Sequence, residues 1–110
     1  MDKSDALSAF SALSQPTRLD AFRLLIEAGD GGLAAGVIAE RLDVRQNTLS
    51  ANLSVLLNAG LVTNQREGRT IRYFADTQGL RGLLGFLLRD CCGGRPELCD
   101  PLIEDIACTC

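Results

Sequence analysis

The apolar positions of this chain follow helical periods almost throughout, and the period lapses between Gly60 and Asp76. Residues 3–13 carry Ala6, Leu7, Phe10 and Leu13 on one side of a first helix. The segment Ser14-Gln15-Pro16-Thr17-Arg18 then interrupts the pattern. Ser14 is suited to cap a second helix, and Pro16 fits its first turn. That helix runs to about Glu27 and is expected to turn Leu19, Phe22, Leu25 and Ile26 inward. Gly29-Asp30-Gly31-Gly32 ends it as a loop, because glycines stop helices. A third helix holds Val37, Ile38 and Leu42, and Asp43-Val44-Arg45 forms a turn. The fourth helix places Leu49, Leu53, Leu56 and Leu57 at i, i+4, i+7 and i+8, and stops at Gly60.

Beyond Gly60 the residues change in kind. Leu61 to Arg66 is rich in extended-type residues, Glu67-Gly68-Arg69 reads as a turn, and Thr70 to Ala75 alternates. This predicts a β-hairpin. Asp76 and Thr77 can cap a last long helix in which Leu80, Leu83, Leu84, Leu87 and Leu88 recur at helical spacing, with Phe86 widening the face. Gly93-Gly94 and Pro96 break that helix, and Pro101 permits a short one from Leu102 to Ala107. No repeat is visible, and no apolar run approaches the roughly 18 residues of a membrane span. The order α-α-α-α-β-β-α is mainly helical with a small β-hairpin, the plan of a winged helix-turn-helix.

The fourth helix has a second face. Gln46, Asn47, Ser50, Ala51 and Ser54 lie away from its leucines and form a small, uncharged surface rich in amides and hydroxyls. Such a surface suits base edges in a major groove, where Asn and Gln pair with adenine. It is equally the ordinary cover of a solvated helix. The hairpin helps to choose: Arg66 and Arg69 stand at its tip and Arg72 on its return strand, placed to approach phosphates or a minor groove. Net charge is −3 overall, yet residues 41–75 hold Arg41, Arg45, Arg66, Arg69 and Arg72 against Asp43 and Glu67, a local +3. A basic surface beside an amide-rich helix favours DNA over mere solvation.

At 110 residues and 46% hydrophobic content, the chain suits one globular domain that gains from dimerisation. Its start, MDKSDALSAF, lacks the basic flank and apolar block of a secretory leader, so a cytoplasmic location is expected. All five cysteines (Cys91, Cys92, Cys99, Cys108 and Cys110) fall in the last twenty residues, and histidine is absent. An odd, clustered set resembles soft-metal chemistry more than a secreted disulfide framework. Without histidine, Ser–His and Cys–His catalysis is excluded, and no phosphate loop is present, so an enzyme is not expected.

Several stretches together resemble the ArsR/SmtB family of metal-responsive bacterial repressors. They are Leu13 to Leu19, Val37 to Leu42, Gln46 to Ser50, Leu53 to Val62, and Arg66 to Arg69 with Tyr73. The resemblance covers about residues 5–90. It implies a homodimeric winged-helix repressor, with first and last helices at the dimer interface and each recognition helix in one half-site of an inverted-repeat operator. Residues 1–90 would bind DNA and dimerise, and 91–110 would form a cysteine-rich metal-binding tail. Carried onto this chain, the DNA-contacting set is Arg45, Gln46, Asn47, Thr48, Ser50, Ala51, Asn52, Ser54, Arg66, Arg69 and Arg72. Two positions depart from the family: Arg45 replaces a serine before the recognition helix, and Asn52 replaces a histidine on it.

The family's sensor cysteines in the third helix correspond here to Ala34, Ala35 and Gly36, so that site is absent. Sites built from histidine on the last helix are excluded as well. What remains is Cys91, Cys92 and Cys99, with Cys108 and Cys110 as extra ligands or a terminal tail. Three thiolates suit trivalent arsenic or antimony, which form three-coordinate pyramidal complexes. Arsenic-sensing relatives carry a similar Cys-Cys pair with a nearby third cysteine. Gly93-Gly94 lets the helix unwind at the pair, and Pro96 turns the chain so that Cys99 can return. Cadmium, lead or zinc, and thiol oxidation, are the rival readings. DNA binding itself would need no cofactor; the metalloid would act as inducer.

Overall fold

The computed structural model describes residues 1–91, 101 and 104–106, with the backbone alone for 89–91. The chain folds as α1 (Lys3–Leu13), α2 (Pro16–Ala28), a 3-10 turn (Gly29–Gly31), β1 (Leu33–Ala34), α3 (Ala35–Leu42), α4 (Gln46–Asn58), β2 (Val62–Glu67), β3 (Thr70–Ala75) and α5 (Thr77–Cys91). Pro101 and residues 104–106 are helical; the remainder of the expected Leu102 to Ala107 helix lies outside the described residues.

Asp2 caps α1 by accepting from the Asp5 amide at 2.8 Å, and Asp5 accepts from the Asp2 amide in return. The buried side of α1 is made of Ala6, Ala9 and Ala12, whereas Leu7 and Phe10 are exposed. Small residues let α1 lie close to α2 and α4, and the large side chains face out. The cap of α2 is Gln15 and not Ser14: the Gln15 side chain accepts from the Arg18 amide at 2.8 Å. Pro16 decides this, because it occupies the first turn and drives the residue before it into extended backbone. Ser14 instead closes α1, its Oγ donating to the Ser11 carbonyl. Within α2 the inward set is Ala21, Phe22 and Leu25; Leu19 and Ile26 are both 41% exposed, contrary to the sequence expectation. α2 packs against α1, α3, α4 and β3, and the small Ala21 is among its fully buried residues.

The expected hairpin is joined by β1, giving a three-stranded antiparallel sheet in the order β1-β3-β2. β1 pairs Leu33 with Tyr73 and Ala34 with Arg72. Buried Gly32 precedes it at φ +62, where an added Cβ would collide with the Tyr73 carbonyl and the Phe74 ring. β2 and β3 run in register from Val62 opposite Ala75 to Glu67 opposite Thr70. That leaves Gly68 and Arg69 as a two-residue loop, and φ +64 at Gly68 matches the first central position of a type II′ turn.

Leu25, Ile38, Leu49, Leu53, Leu56 and Leu61 are the largest fully buried side chains. The core therefore sits between α2 and the α3–α4 pair and fixes α4 by its leucine side. Asp76 starts α5, its Oδ1 accepting from the amides of Gln78 and Gly79. Leu83 is buried, but Leu84 and Leu87 are exposed, as Leu7 and Phe10 are on α1. Among the described residues, no helix is long and apolar enough to cross a membrane.

Candidate nucleic-acid interface

The helix-turn-helix consists of α3, Asp43-Val44-Arg45 and α4. The turn is tight because Asp43 adopts left-handed backbone at φ 54, where short polar side chains are tolerated. The Val44 amide then donates to the Ala39 carbonyl at 3.0 Å, closing the end of α3. Arg45 occupies the cap position of α4 in extended conformation, with no side-chain hydrogen bond to the helix amides. One of those amides, that of Thr48, is taken by Asn47 Oδ1 at 2.9 Å.

With Leu49, Leu53 and Leu56 anchored in the core, the opposite side of α4 is presented outward. Arg45, Gln46, Asn47, Thr48, Ser50, Ala51 and Ser54 are all exposed. Gln46 departs from the expected polar face: three residues before Leu49 it falls on the leucine side of α4, and its side-chain Nε2 is 3.1 Å from where a Cβ on Gly36 of α3 would stand. Asn52 is placed differently. It is half-buried, and its Oδ1 accepts from Arg18 Nη1 at 3.1 Å.

The wing arginines divide in the same way. Arg69 is exposed at the turn and Arg66 is exposed beside it, the latter donating through Nε to the Gly68 carbonyl at 3.2 Å. Among the described residues, neither Arg45 nor Arg69 is held by a hydrogen bond or an ion pair. Arg72 is held. Its Nε pairs with Glu67 Oε1 at 3.0 Å, and its Nη1 donates to the carbonyls of Gly31 at 3.1 Å and Gly32 at 3.4 Å. Arg72 thereby ties the hairpin to the loop before β1. Sequence spacing could not separate Asn52 and Arg72 from their exposed neighbours, because Arg18 lies 34 positions from Asn52 and the carbonyls that hold Arg72 lie 40 and 41 positions away.

Among the described residues, no three His, Cys, Asp or Glu side chains are grouped to hold a metal. Of the expected thiolates, Cys91 is described only by its helical backbone in α5. Cys92, Cys99, Cys108 and Cys110 lie outside the described residues. The positions matching the family's other sensor, Ala34, Ala35 and Gly36, form the β1–α3 junction.

A family profile described as a helix-turn-helix domain matches residues 13–65, from the end of α1 into β2. The transcriptional repressor SdpR of Bacillus subtilis is 32% identical over 81 residues, which cover 74% of this chain and 87% of SdpR. Other related regulators are longer, and this chain spans 50% to 64% of their length. An ArsR-like transcriptional regulator from Rhodococcus sp. RHA1 superposes with TM-score 0.70 at 31% identity, covering 94% of this chain and 93% of that one. The homodimeric winged helix-turn-helix domain of Mb0332 from Mycobacterium bovis, a possible ArsR-family regulator, gives TM-score 0.64 at 28% identity, covering 76% and 75%. These relatives are regulators of transcription, and the chain is a DNA-binding regulator of the same kind and not an enzyme. An exposed polar helix seated on a leucine core, an arginine-tipped wing, and likeness along nearly the whole chain place this protein in the ArsR-like family of winged helix-turn-helix transcriptional regulators.

Proposed function

We propose that the protein is a cytoplasmic, homodimeric repressor that occupies an inverted-repeat operator and leaves it when trivalent arsenic or antimony binds its C-terminal thiolates. Cys91, Cys92 and Cys99 are the ligands, and Cys108 and Cys110 are available as extra donors. Residues 1–90 carry DNA binding and dimerisation; 91–110 carry the sensor.

One observation supports the inducer reading above the rest. Every cysteine lies at or after Cys91 in the chain, following the stretch of α5 that exposes Leu84 and Leu87. With Leu7 and Phe10 of α1, these side chains supply an apolar surface for a second copy, and the similar Mb0332 domain is homodimeric. Two recognition helices would then stand about one DNA turn apart, roughly 34–36 Å. A soft ion drawing three thiolates together at the end of the dimer helix changes how the halves are held. A coupling of about 1–3 kcal/mol between inducer and operator suffices for release.

The test is a Cys→Ser series under full reduction, read by release of a labelled operator duplex on titration with arsenite. Cys91→Ser, Cys92→Ser and Cys99→Ser should each raise the arsenite needed at least about tenfold, which is about 1.4 kcal/mol. A normal response from all three sinks the ligand assignment. Release by cadmium, lead or zinc alone, or by an oxidant alone, would replace arsenic with those readings.

A further inference from the structure

Arg18 sits in the first turn of α2, where its own amide is held by Gln15 Oε1 at 2.8 Å. From there its guanidinium joins two other helices. Nε donates to the Ala12 carbonyl of α1 at 2.7 Å, and Nη1 donates to Asn52 Oδ1 of α4 at 3.1 Å. The carbonyls of the last turn of a helix have no partners within it and carry the negative end of its dipole. α1 has no basic residue in its own last turn, so Arg18 supplies the missing charge from the next helix. The planar guanidinium can serve both acceptors in fixed geometry, which an ammonium on a flexible stem cannot reproduce. Asn52 lies midway along α4 between the buried leucines and the outward polar residues.

We infer that Arg18 and Asn52 are positioning residues for operator binding: the guanidinium pins α4 to the C-terminal end of α1, and the Asn52 carboxamide serves this tie and reads no base. The pinned end of α1 belongs to the helix that exposes Leu7 and Phe10. The tie therefore joins the recognition helix, through one side chain, to a helix with exposed apolar residues. The inference rests on reading α4 as the helix that enters DNA.

The full-length chain first selects an operator from a random duplex pool, and variants are then compared by fluorescence anisotropy at several salt concentrations. Asn52→Ala should weaken binding about tenfold, equally on the selected duplex and on all its single-base variants. Its salt slope should match that of the wild type, whereas losing a phosphate contact lowers the slope by about 1. Asn52→Asp keeps an acceptor for Arg18 and should stay within about threefold of wild type, although a carboxylate facing bases or phosphates would be repelled. Arg18→Lys should match Asn52→Ala, and the double variant should be no weaker than either alone. Loss of preference at one base pair in Asn52→Ala, collapse of binding in Asn52→Asp, or multiplying effects in the double variant would each overturn the tie. Thermal unfolding confirms that each variant is folded at the assay temperature; if Arg18→Lys is not, the two Asn52 variants decide. A wild-type chain that selects no duplex overturns the DNA reading and this inference with it.

Discussion

Arg45 occupies a position where a hydroxyl or carboxylate would do more for the helix. It caps α4 without a side-chain hydrogen bond to the helix amides. Its positive charge also stands at the positive end of the helix dipole, which is unfavourable on its own. Exposure beside the polar face of α4 suits it to phosphate instead. Arg45→Ser should therefore raise unfolding stability by about 1 kcal/mol and weaken operator binding, lowering the salt slope by about 1. Urea denaturation and anisotropy in a salt series measure the two arms; a stabler variant with unchanged binding would remove Arg45 from the interface. Single residues were the least legible feature of the chain. Ser14 looked like the cap of α2 until Pro16 placed Gln15 there, a displacement of one residue that a list of favoured caps does not detect.

In the wing, two arginines three positions apart have different surroundings. Arg69 stands free at the turn among the described residues, whereas Arg72 reaches back to Glu67, Gly31 and Gly32. Arg69→Ala should leave stability within about 0.5 kcal/mol and reduce the salt slope by about 1. Arg72→Ala should cost about 1–2 kcal/mol by losing its carbonyl contacts and weaken DNA binding through a loosened hairpin. Chemical denaturation of both variants beside their salt slopes checks the contrast. The hairpin itself was readable, because alternation and a turn glycine suffice to specify two strands; the two-residue II′ turn came only from the register and φ +64 at Gly68. β1 was not, since two residues contain no period at all. Its place is set by pairing with β3, forty residues away along the chain.

For the molecule as a whole, the outward apolar surface matters most. Leu84 is 44% exposed and Leu7 59%, on the first and last long helices, both outside the core that holds α4. A monomer gains nothing from such side chains, while a second copy would bury them at roughly 25 cal/mol per Å² of apolar area. Leu84→Glu should turn a dimer into a monomer in sedimentation equilibrium. It should also weaken operator binding at least about a hundredfold, since a lone recognition helix reaches one half-site. A variant that stays dimeric places the interface elsewhere.

The chain read alone yields a helix-turn-helix followed by a wing because those properties are local. Leu49, Leu53 and Leu56 declare one face of α4 by spacing, and all three are fully buried. The same reading failed for α2, where Leu19 and Ile26 were expected inside and Ala21 was overlooked. Periodicity ranks residues by hydrophobicity, whereas the packed interior selects by the space between helices, and the small Ala21 is fully buried on a helix that four elements pack against. The polar residues divide by the same rule. That Asn47, Ala51 and Ser54 lie opposite the leucines follows from helical geometry, and so does the turn of Gln46, three residues before Leu49, toward α3. That Asn52 turns to Arg18, and Arg72 to the loop before β1, follows from partners which only folding brings within hydrogen-bond reach. A hydrogen bond depends on distance in space, and sequence separation carries almost no information about it once the chain is packed.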